Sequence, residues 1–318
     1  MRKALVIGID FYEQVHVSNL NGCVNDSCNI KNLLERHADG SLNFDVKHEV
    51  GISLENTISK GELKDLVNEL FKDDNDLALF YFSGHGYIEN TGGYLITSDC
   101  IRGDDGLSLS ELLSIANNSP AKNKIIILDS CHSGYVGKTS FSESAIINEG
   151  VTILTASSEE QYALESEGTG VFTNLLVDAL NGSAANLVGD ITPGSIYAHI
   201  DQSLGPWEQR PVFKTNVKKF ISLRKVQSPV LLTDLKKITE FFKIPSHEYA
   251  LDDSYEPTSE NPNSANCEIF SILQKLNRVN IVVPNGEEHM YYAAMNNKSC
   301  KLTALGVHYW NLVKKSRI

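Results

Sequence analysis

Short apolar runs that alternate with segments of helical period are the feature that most constrains the fold of this chain. Within the first 223 residues, five runs have the length and pattern of β-strands: 4–9, 44–50, 77–83, 125–130 and 151–156. The runs at 4–9, 77–83 and 125–130 are almost wholly apolar, which is typical of strands buried on both faces of a parallel sheet.

The segments between these runs carry the signals of amphipathic helices. Residues 63–70 place apolar side chains at positions i, i+3, i+4 and i+7. Ser108 and Glu111 form a capping box, and Thr192 and Pro193 supply an N-cap and a first-turn proline. The alternation predicts an α/β domain with a mostly parallel sheet and helices on both faces.

The character of the sequence changes beyond Ser228. Helical patterns lie at 233–242, 269–276 and 305–313, and the polar segment 251–266 predicts a flexible loop. Asn285 and Gly286, between the apolar segments 279–283 and 289–295, predict a β-hairpin. Helix, hairpin and helix together predict a small winged-helix-like α+β module. We therefore expect one domain at 1–225 and a second at 226–318.

The composition excludes several classes of protein. The chain has 318 residues, 42% hydrophobic and 21% charged, which excludes wholesale disorder. No apolar run approaches the ~20 residues that span a bilayer. The run at 4–9 has no small-residue cleavage site after it, which favours a strand over a signal peptide. The six cysteines form no CxxC pair, which favours a reducing, cytoplasmic location.

The charge of −12 disfavours binding of the chain to nucleic acid. Residues 228–318 contain ten basic and ten acidic residues, so the excess negative charge lies before them. A neutral C-terminal module without a basic stripe favours docking of a protein or sensing of a ligand over contact with DNA.

Two glycine-containing segments carry the chemistry. Residues 82–86 (Phe-Ser-Gly-His-Gly) and 128–134 (Leu-Asp-Ser-Cys-His-Ser-Gly) each follow a predicted buried strand. Ligands of open α/β sheets bind outside the carboxyl ends of the strands. If the two strands are neighbours, His85 and Cys131 reach the same edge, as a cysteine nucleophile and its histidine base require. The amides of Gly86 and Cys131 could then bind the oxyanion of a tetrahedral intermediate.

Two simpler interpretations compete with this one. A single cysteine or histidine at a strand end is most often only packed there, and the pair could also bind a metal. No third and fourth ligand lie at a recognisable spacing, so we predict no metal site. The glycine-rich context and the 46-residue separation of His85 and Cys131 favour catalysis.

The two segments, together with residues 21–26 (Asn-Gly-Cys-Val-Asn-Asp), resemble the caspase-like clan of cysteine peptidases, in particular its metacaspase-type and bacterial caspase-like branch. The resemblance covers about residues 1–223. It implies a caspase–haemoglobinase fold with a six-stranded sheet and a catalytic dyad of His85 and Cys131.

The same resemblance implies a pocket for the residue before the scissile bond. Its wall would consist of Cys23, Asp26, Ser83 and Asp129. Two carboxylates in one pocket favour the guanidinium of arginine or the ammonium of lysine, and they reject an aspartate side chain. For Asp26, N-terminal capping of a helix is the competing explanation.

The chain departs from the family in two places. Animal caspases have Gln-Ala-Cys at the nucleophile, where this chain has Asp129-Ser130-Cys131. Calcium-dependent metacaspases have four aspartates, of which only one pair is matched here, by Asp104 and Asp105. We interpret that pair as a solvated turn and expect no cofactor, with calcium the one candidate that the resemblance raises.

The sequence and the resemblance thus predict a cytoplasmic cysteine endopeptidase that cleaves proteins after Arg or Lys. The resemblance to bacterial caspase-like proteins implies a regulated role in a stress or antiviral response. Its partners would be a protein substrate and an activator or recruiting partner at the C-terminal module, with no membrane. Residues 135–149 would form an exposed loop, with Lys138 as a site of self-cleavage. The alternative is a catalytically silent caspase-fold scaffold or a DNA-binding or interaction regulator.

Overall fold

A computed structural model describes residues 1–14, 17–90, 92–130, 146–156, 165–166, 169–205 and 210–318. These residues form two compact units. The first comprises Met1–Ala185 and Asp190–Gln227, and the second comprises Asn186–Gly189 and Ser228–Ile318.

Among the residues that the structure describes, the first unit contains strands and five α-helices. Its strands are β1 (Arg2–Ile9), β2 (Asp45–Gly51), β3 (Leu77–Ser83), β4 (Gly86–Glu89), β5 (Gly92–Leu95), β6 (Leu107–Ser108), β7 (Lys124–Asp129), β8 (Val151–Thr155), β9 (Glu165–Ser166), β10 (Thr169–Gly170), β11 (Asp190–Ile191), β12 (Val212–Asn216) and β13 (Arg224–Lys225). Its α-helices are α1 (Cys23–Glu35), α2 (Lys60–Phe71), α3 (Leu109–Asn118), α4 (Val171–Asp178) and α5 (Pro193–Ser203).

Six of the strands form the central sheet, in the order β12-β8-β7-β3-β1-β2. Every pair is parallel except β12 with β8. The mostly parallel six-stranded sheet that we predicted is therefore confirmed.

Helices cover both faces of this sheet because alternate residues of each strand point to opposite sides. Leu5 and Ile7 of β1 pack in a core with α2 and α3. Ala4 and Val6 pack on the other face, in a core with α1, α4 and α5. Burial on both faces explains why these strands are apolar throughout rather than alternating.

The predicted helix starts are confirmed where capping residues mark them. The Ser108 hydroxyl accepts hydrogen bonds from the backbone N–H groups of Ser110 and Glu111 and so opens α3. The Thr192 hydroxyl accepts the N–H of Ser195 at 3.2 Å, with Pro193 in the first turn of α5.

The second unit contains a three-stranded antiparallel sheet, five α-helices and a short 3-10 turn at Asp253–Tyr255. The strands are β14 (Tyr249–Ala250), β15 (Val282–Asn285) and β16 (Ser299–Leu302), in the order β14-β16-β15. The helices are α6 (Leu232–Lys236), α7 (Ile238–Phe241), α8 (Ser264–Arg278), α9 (Met290–Met295) and α10 (Ala304–Lys314). Their core includes the buried side chains of Phe242, Phe270 and Leu273.

The predicted hairpin in this unit is wrong in its second strand. Residues 290–295 form α9, and β15 pairs instead with β16. Ala293 and Ala294 are fully buried, and side chains this small favour a helix packed closely on the core. Gly286 adopts a positive φ of 80°, as the predicted turn requires. The error lies in the segment after the turn, which is a helix and not a strand.

Residues 251–263 lie outside α-helices and strands, as the loop prediction expects, and the last three residues of the predicted loop belong to α8. The Asn263 side chain accepts the N–H groups of Ala265 and Asn266 and opens α8. The Asn266 side chain donates to the Ser254 hydroxyl at 2.7 Å. The polar side chains fold this segment through local hydrogen bonds, which a hydrophobic period does not report.

Candidate active site

The carboxyl ends of β3 and β7 lie side by side in the sheet. The two strands pair in parallel, with Ser83 opposite Asp129. His85 follows the end of β3 by two residues, and Cys131 follows the end of β7 by two. Cys131 lies outside the described residues, as does Lys138, so the dyad of His85 with Cys131 stays a prediction.

Contacts of both its backbone and its ring hold His85 in place. Its backbone N–H donates to the Tyr12 hydroxyl at 2.8 Å, and the two rings lie 4.8 Å apart. Its Nε2 atom lies 2.7 Å from the Ser18 carbonyl oxygen. Because a carbonyl oxygen only accepts, Nε2 carries the proton, and Nδ1 of the neutral ring is left as the proton acceptor. The contact thus selects the tautomer that can act as a base through Nδ1.

The backbone N–H of Gly86 takes no part in the hydrogen bonds that pair β4 with β5. Gly86 is opposite Leu95 in the antiparallel pair of β4 and β5. The N–H of Ile96 donates to the His85 carbonyl at 3.0 Å. Hydrogen-bonded and non-hydrogen-bonded pairs alternate along an antiparallel ladder, so the Gly86–Leu95 pair is of the second kind. The Gly86 N–H therefore faces away from β5, as a donor to an oxyanion must.

The start of α1 is fixed against the end of β1. The Asp10 carboxylate accepts the N–H of Cys23 at 2.9 Å and that of Val24 at 3.4 Å. A Cβ atom on Gly8 would lie 2.5 Å from the Cys23 carbonyl oxygen, so only glycine allows the helix this close. Asp10 supplies the side-chain cap, so capping does not account for Asp26.

The four predicted pocket residues lie close together and are all buried. The Cys23 thiol shares a hydrogen bond with Ser83. Burial raises the pKa of this thiol, and the charges of Asp10, Asp129 and Asp26 raise it further against the lowering effect of the Ser83 bond. Cys23 is therefore a protonated thiol at neutral pH and no nucleophile.

The two pocket carboxylates share a low-dielectric environment. Asp26 is 2% exposed and Asp129 is 7% exposed. Burial raises the pKa of the nearby Tyr81 phenol, and the charges of Asp129 and Asp26 raise it further. The described part of the pocket thus has a negative potential, which favours a cationic ligand.

A cleft of about 310 Å³ lies beside His85 and shares no lining residue with this pocket. Its lining includes His85, Gly86, Tyr87, Ile96 and Arg102. The His85 ring therefore borders this cleft, and Asp26 and Asp129 do not line it.

Within the described ranges, no group of three His, Cys, Asp or Glu residues could hold a metal ion. Asp104 and Asp105 form a short 3-10 turn at Gly103–Asp105, and both are exposed. The Asp105 carboxylate accepts the N–H of Arg102 at 3.0 Å. This is the solvated turn that we predicted.

Sequence analysis missed four participants in this site. Ser18 acts through its backbone carbonyl, which leaves no trace in the residue type. Tyr12 lies 73 positions from His85, and only the fold brings the two together. Tyr81 and Thr173 adjoin Asp129, and their apolar surroundings made them look like core residues.

Across the described portion of the chain, no helix is both long and apolar enough to cross a membrane. A comparison with curated proteins gives no match.

Solved structures resemble this chain in fold. One is a protein of Geobacter sulfurreducens solved as a structural-genomics target, with a TM-score of 0.52 and 17% identity over 71% of this chain and 97% of the other. Another is caspase-1 of Spodoptera frugiperda, with a TM-score of 0.50 and 17% identity over 71% of this chain and 90% of the other.

The sequence profile of the caspase domain matches residues 1–242. This range contains the whole six-stranded sheet and every predicted site residue. The chain therefore belongs to the caspase-domain family of cysteine peptidases.

Proposed function

We propose that this protein is a cysteine endopeptidase that cleaves after arginine or lysine. The observation that carries the proposal is the pair of buried carboxylates, Asp26 and Asp129, beside the strand ends that lead to His85 and Cys131. Family membership supports peptidase chemistry, and the charge of the pocket supports the choice of substrate.

In the proposed reaction, His85 Nδ1 takes the proton of the Cys131 thiol, and the thiolate attacks the scissile carbonyl carbon. The amides of Gly86 and Cys131 stabilise the oxyanion. His85 returns the proton to the leaving nitrogen as the C–N bond breaks, which leaves a thioester on Cys131. His85 then deprotonates a water that attacks the thioester, and the carboxylic acid product and the free thiol form.

The charge of the pocket decides the specificity. An arginine side chain offers up to five N–H donors and a positive charge to the two carboxylates. An aspartate side chain would meet like charge in a buried site, where the repulsion is weakly screened. We therefore expect cleavage after arginine and lysine and none after aspartate.

Covalent labelling tests the proposal. A peptidyl chloromethyl ketone that ends in arginine should alkylate the wild type at Cys131, with displacement of chloride by the thiolate. The Cys131→Ala variant should stay unlabelled because Cys23 is buried and protonated. Labelling of another cysteine, or reaction only with the aspartate analogue, would refute the assignment. Absence of labelling and of cleavage would indicate a silent scaffold.

The Tyr12→Phe variant should lower kcat about fivefold and leave KM nearly unchanged. The variant removes the hydroxyl that accepts the His85 N–H and so loosens the base, at a cost of about 1 kcal/mol. Tyr87→Phe removes an exposed phenol from the cleft and is the matched control. An unchanged kcat in Tyr12→Phe would show that this hydroxyl does not position His85.

Chelation of calcium should leave the activity of the enzyme unchanged. The one matched aspartate pair serves a solvated turn, and Asp105 is engaged by a backbone N–H. Initial rates with excess EGTA and with millimolar calcium should agree within about twofold, and the Asp104→Asn variant should behave like the wild type. A calcium-dependent rate that Asp104→Asn abolishes would contradict this expectation.

The C-terminal unit contains residues 228–318. We propose that it recruits a protein or senses a ligand, within a bacterial stress or antiviral response. The neutral charge of residues 228–318 supports a partner other than nucleic acid.

A further inference from the structure

We propose that Tyr81 and Thr173 form a relay of hydrogen-bond donors that orients the Asp129 carboxylate for the cation of the substrate. The inference rests on the proposed function of the pocket. It adds two positioning residues, Tyr81 and Thr173, to which sequence analysis assigned no function.

The relay has two short links. The Thr173 hydroxyl donates to Asp129 Oδ2 at 2.6 Å, and the Tyr81 hydroxyl lies 2.6 Å from the Thr173 hydroxyl. Tyr81 and Thr173 are fully buried. Water therefore cannot replace either donor without rearrangement of the core.

The direction of the relay follows from proton counting. An ionised carboxylate only accepts hydrogen bonds, so the single hydroxyl proton of Thr173 is donated to Asp129. The Tyr81 hydroxyl must then be the donor to Thr173. Burial, Asp129 and Asp26 all raise the pKa of the Tyr81 phenol, so it stays protonated and remains a donor at working pH.

The two residues are held by rigid elements. Tyr81 lies on β3, two positions before Ser83 and therefore on the same side of the strand. Thr173 lies in the first turn of α4, where the helix dipole favours a negative charge. Phe172 and Leu176 anchor this helix in the core that also contains Tyr81.

The relay stabilises the ionised form of Asp129 in a pocket that also buries a second carboxylate, Asp26. Asp26 and Asp129 are both buried, and the charges of both act on two neighbouring titratable groups, Cys23 and Tyr81, whose pKa values they raise. A donated hydrogen bond favours the ionised form of a buried carboxylate and fixes the orientation of its oxygens. Asp129 is then charged and aligned before the substrate arrives, which lowers the cost of ordering on binding.

Thr173→Val and Thr173→Ser form the decisive pair of variants. Valine keeps the shape and removes the donor, whereas serine keeps the donor. With an arginine peptide we expect Thr173→Val to raise KM about tenfold and change kcat less than about threefold, since the same cation is held in the ground state and in the transition state. Thr173→Ser should stay within about twofold of the wild type. Tyr81→Phe should raise KM about threefold.

A second readout does not require turnover. In the Cys131→Ala background, the ¹³Cγ resonance of Asp129 should titrate about one pH unit higher with Thr173→Val than with threonine or serine. Equal titration and equal KM in the valine and serine variants would overturn the relay. Failure of the proposed function would show differently, as wild-type enzyme that does not cleave after arginine whatever residue 173 is.

Discussion

Asp129→Asn should lower kcat/KM for peptides with arginine before the scissile bond by more than about a hundredfold. The substitution removes one of the two charges that meet the substrate cation, and loss of one partner from a buried charge pair costs about 3 kcal/mol. Asparagine keeps the shape and can still accept the Thr173 hydroxyl. The melting temperature should therefore not fall.

The matched control is Asp104→Asn, which removes the same charge from an exposed turn. If the pocket carries the specificity, Asp104→Asn should cleave arginine peptides at the wild-type rate. Equal losses in both variants would mean that overall charge, and not the pocket, attracts the substrate. Full activity of Asp129→Asn would remove Asp129 from the specificity pocket.

Cys131→Ala and His85→Ala should each abolish turnover, with a loss of kcat of at least about ten-thousandfold. The nucleophile and its base act as one unit, so the double variant should be no slower than either single one. His85→Ala should lower stability by only about 1 kcal/mol. The ring is partly exposed, and its loss removes the hydrogen bond to the Ser18 carbonyl and the contact with the Tyr12 ring.

The control for this pair is Cys28→Ala, which removes a free thiol from α1 outside the proposed site. It should retain full activity. If Cys131→Ala still cleaves at a measurable fraction of the wild-type rate, the nucleophile must be another residue. A variant that is inactive but also unfolded by circular dichroism would call for Cys131→Ser as the replacement.

The framework of the first unit could be predicted because the apolar runs, their lengths and the capping residues between them all indicate the same strands and helices. The apolar run at 77–83 forms β3 with those bounds, and the run at 125–130 ends one residue beyond β7. Burial on both faces makes such strands recognisable, and the parallel pairing of the two then places Ser83 beside Asp129.

The predictions fail where packing or side-chain hydrogen bonds decide the local structure and the hydrophobic periodicity does not. Residues 290–295 include two tyrosines, Tyr291 and Tyr292, that suit a strand, yet they form α9 because buried alanines pack its inner face. The polar segment before α8 is held by side-chain hydrogen bonds of Ser254 and Asn263, which carry no periodic signal.

The candidate site could be predicted in part for the same reason. His85 and the pocket residues belong to recognisable motifs, whereas the groups that position them do not. Ser18 uses a backbone oxygen, and Thr173 reaches Asp129 from a helix that begins 42 residues later in the chain. Such contacts depend on the folded sheet and have no signature in a single sequence.

The comparison that tests the pocket most directly uses two peptides that differ only in charge, one with arginine and one with citrulline before the scissile bond. Citrulline keeps the length and shape of arginine and removes the positive charge. The wild type should cleave the arginine peptide with a kcat/KM at least about a hundredfold higher, and Asp129→Asn should reduce this ratio to about tenfold or less. Equal cleavage of the two peptides by the wild type, or faster cleavage of a peptide with aspartate at that position, would contradict the account.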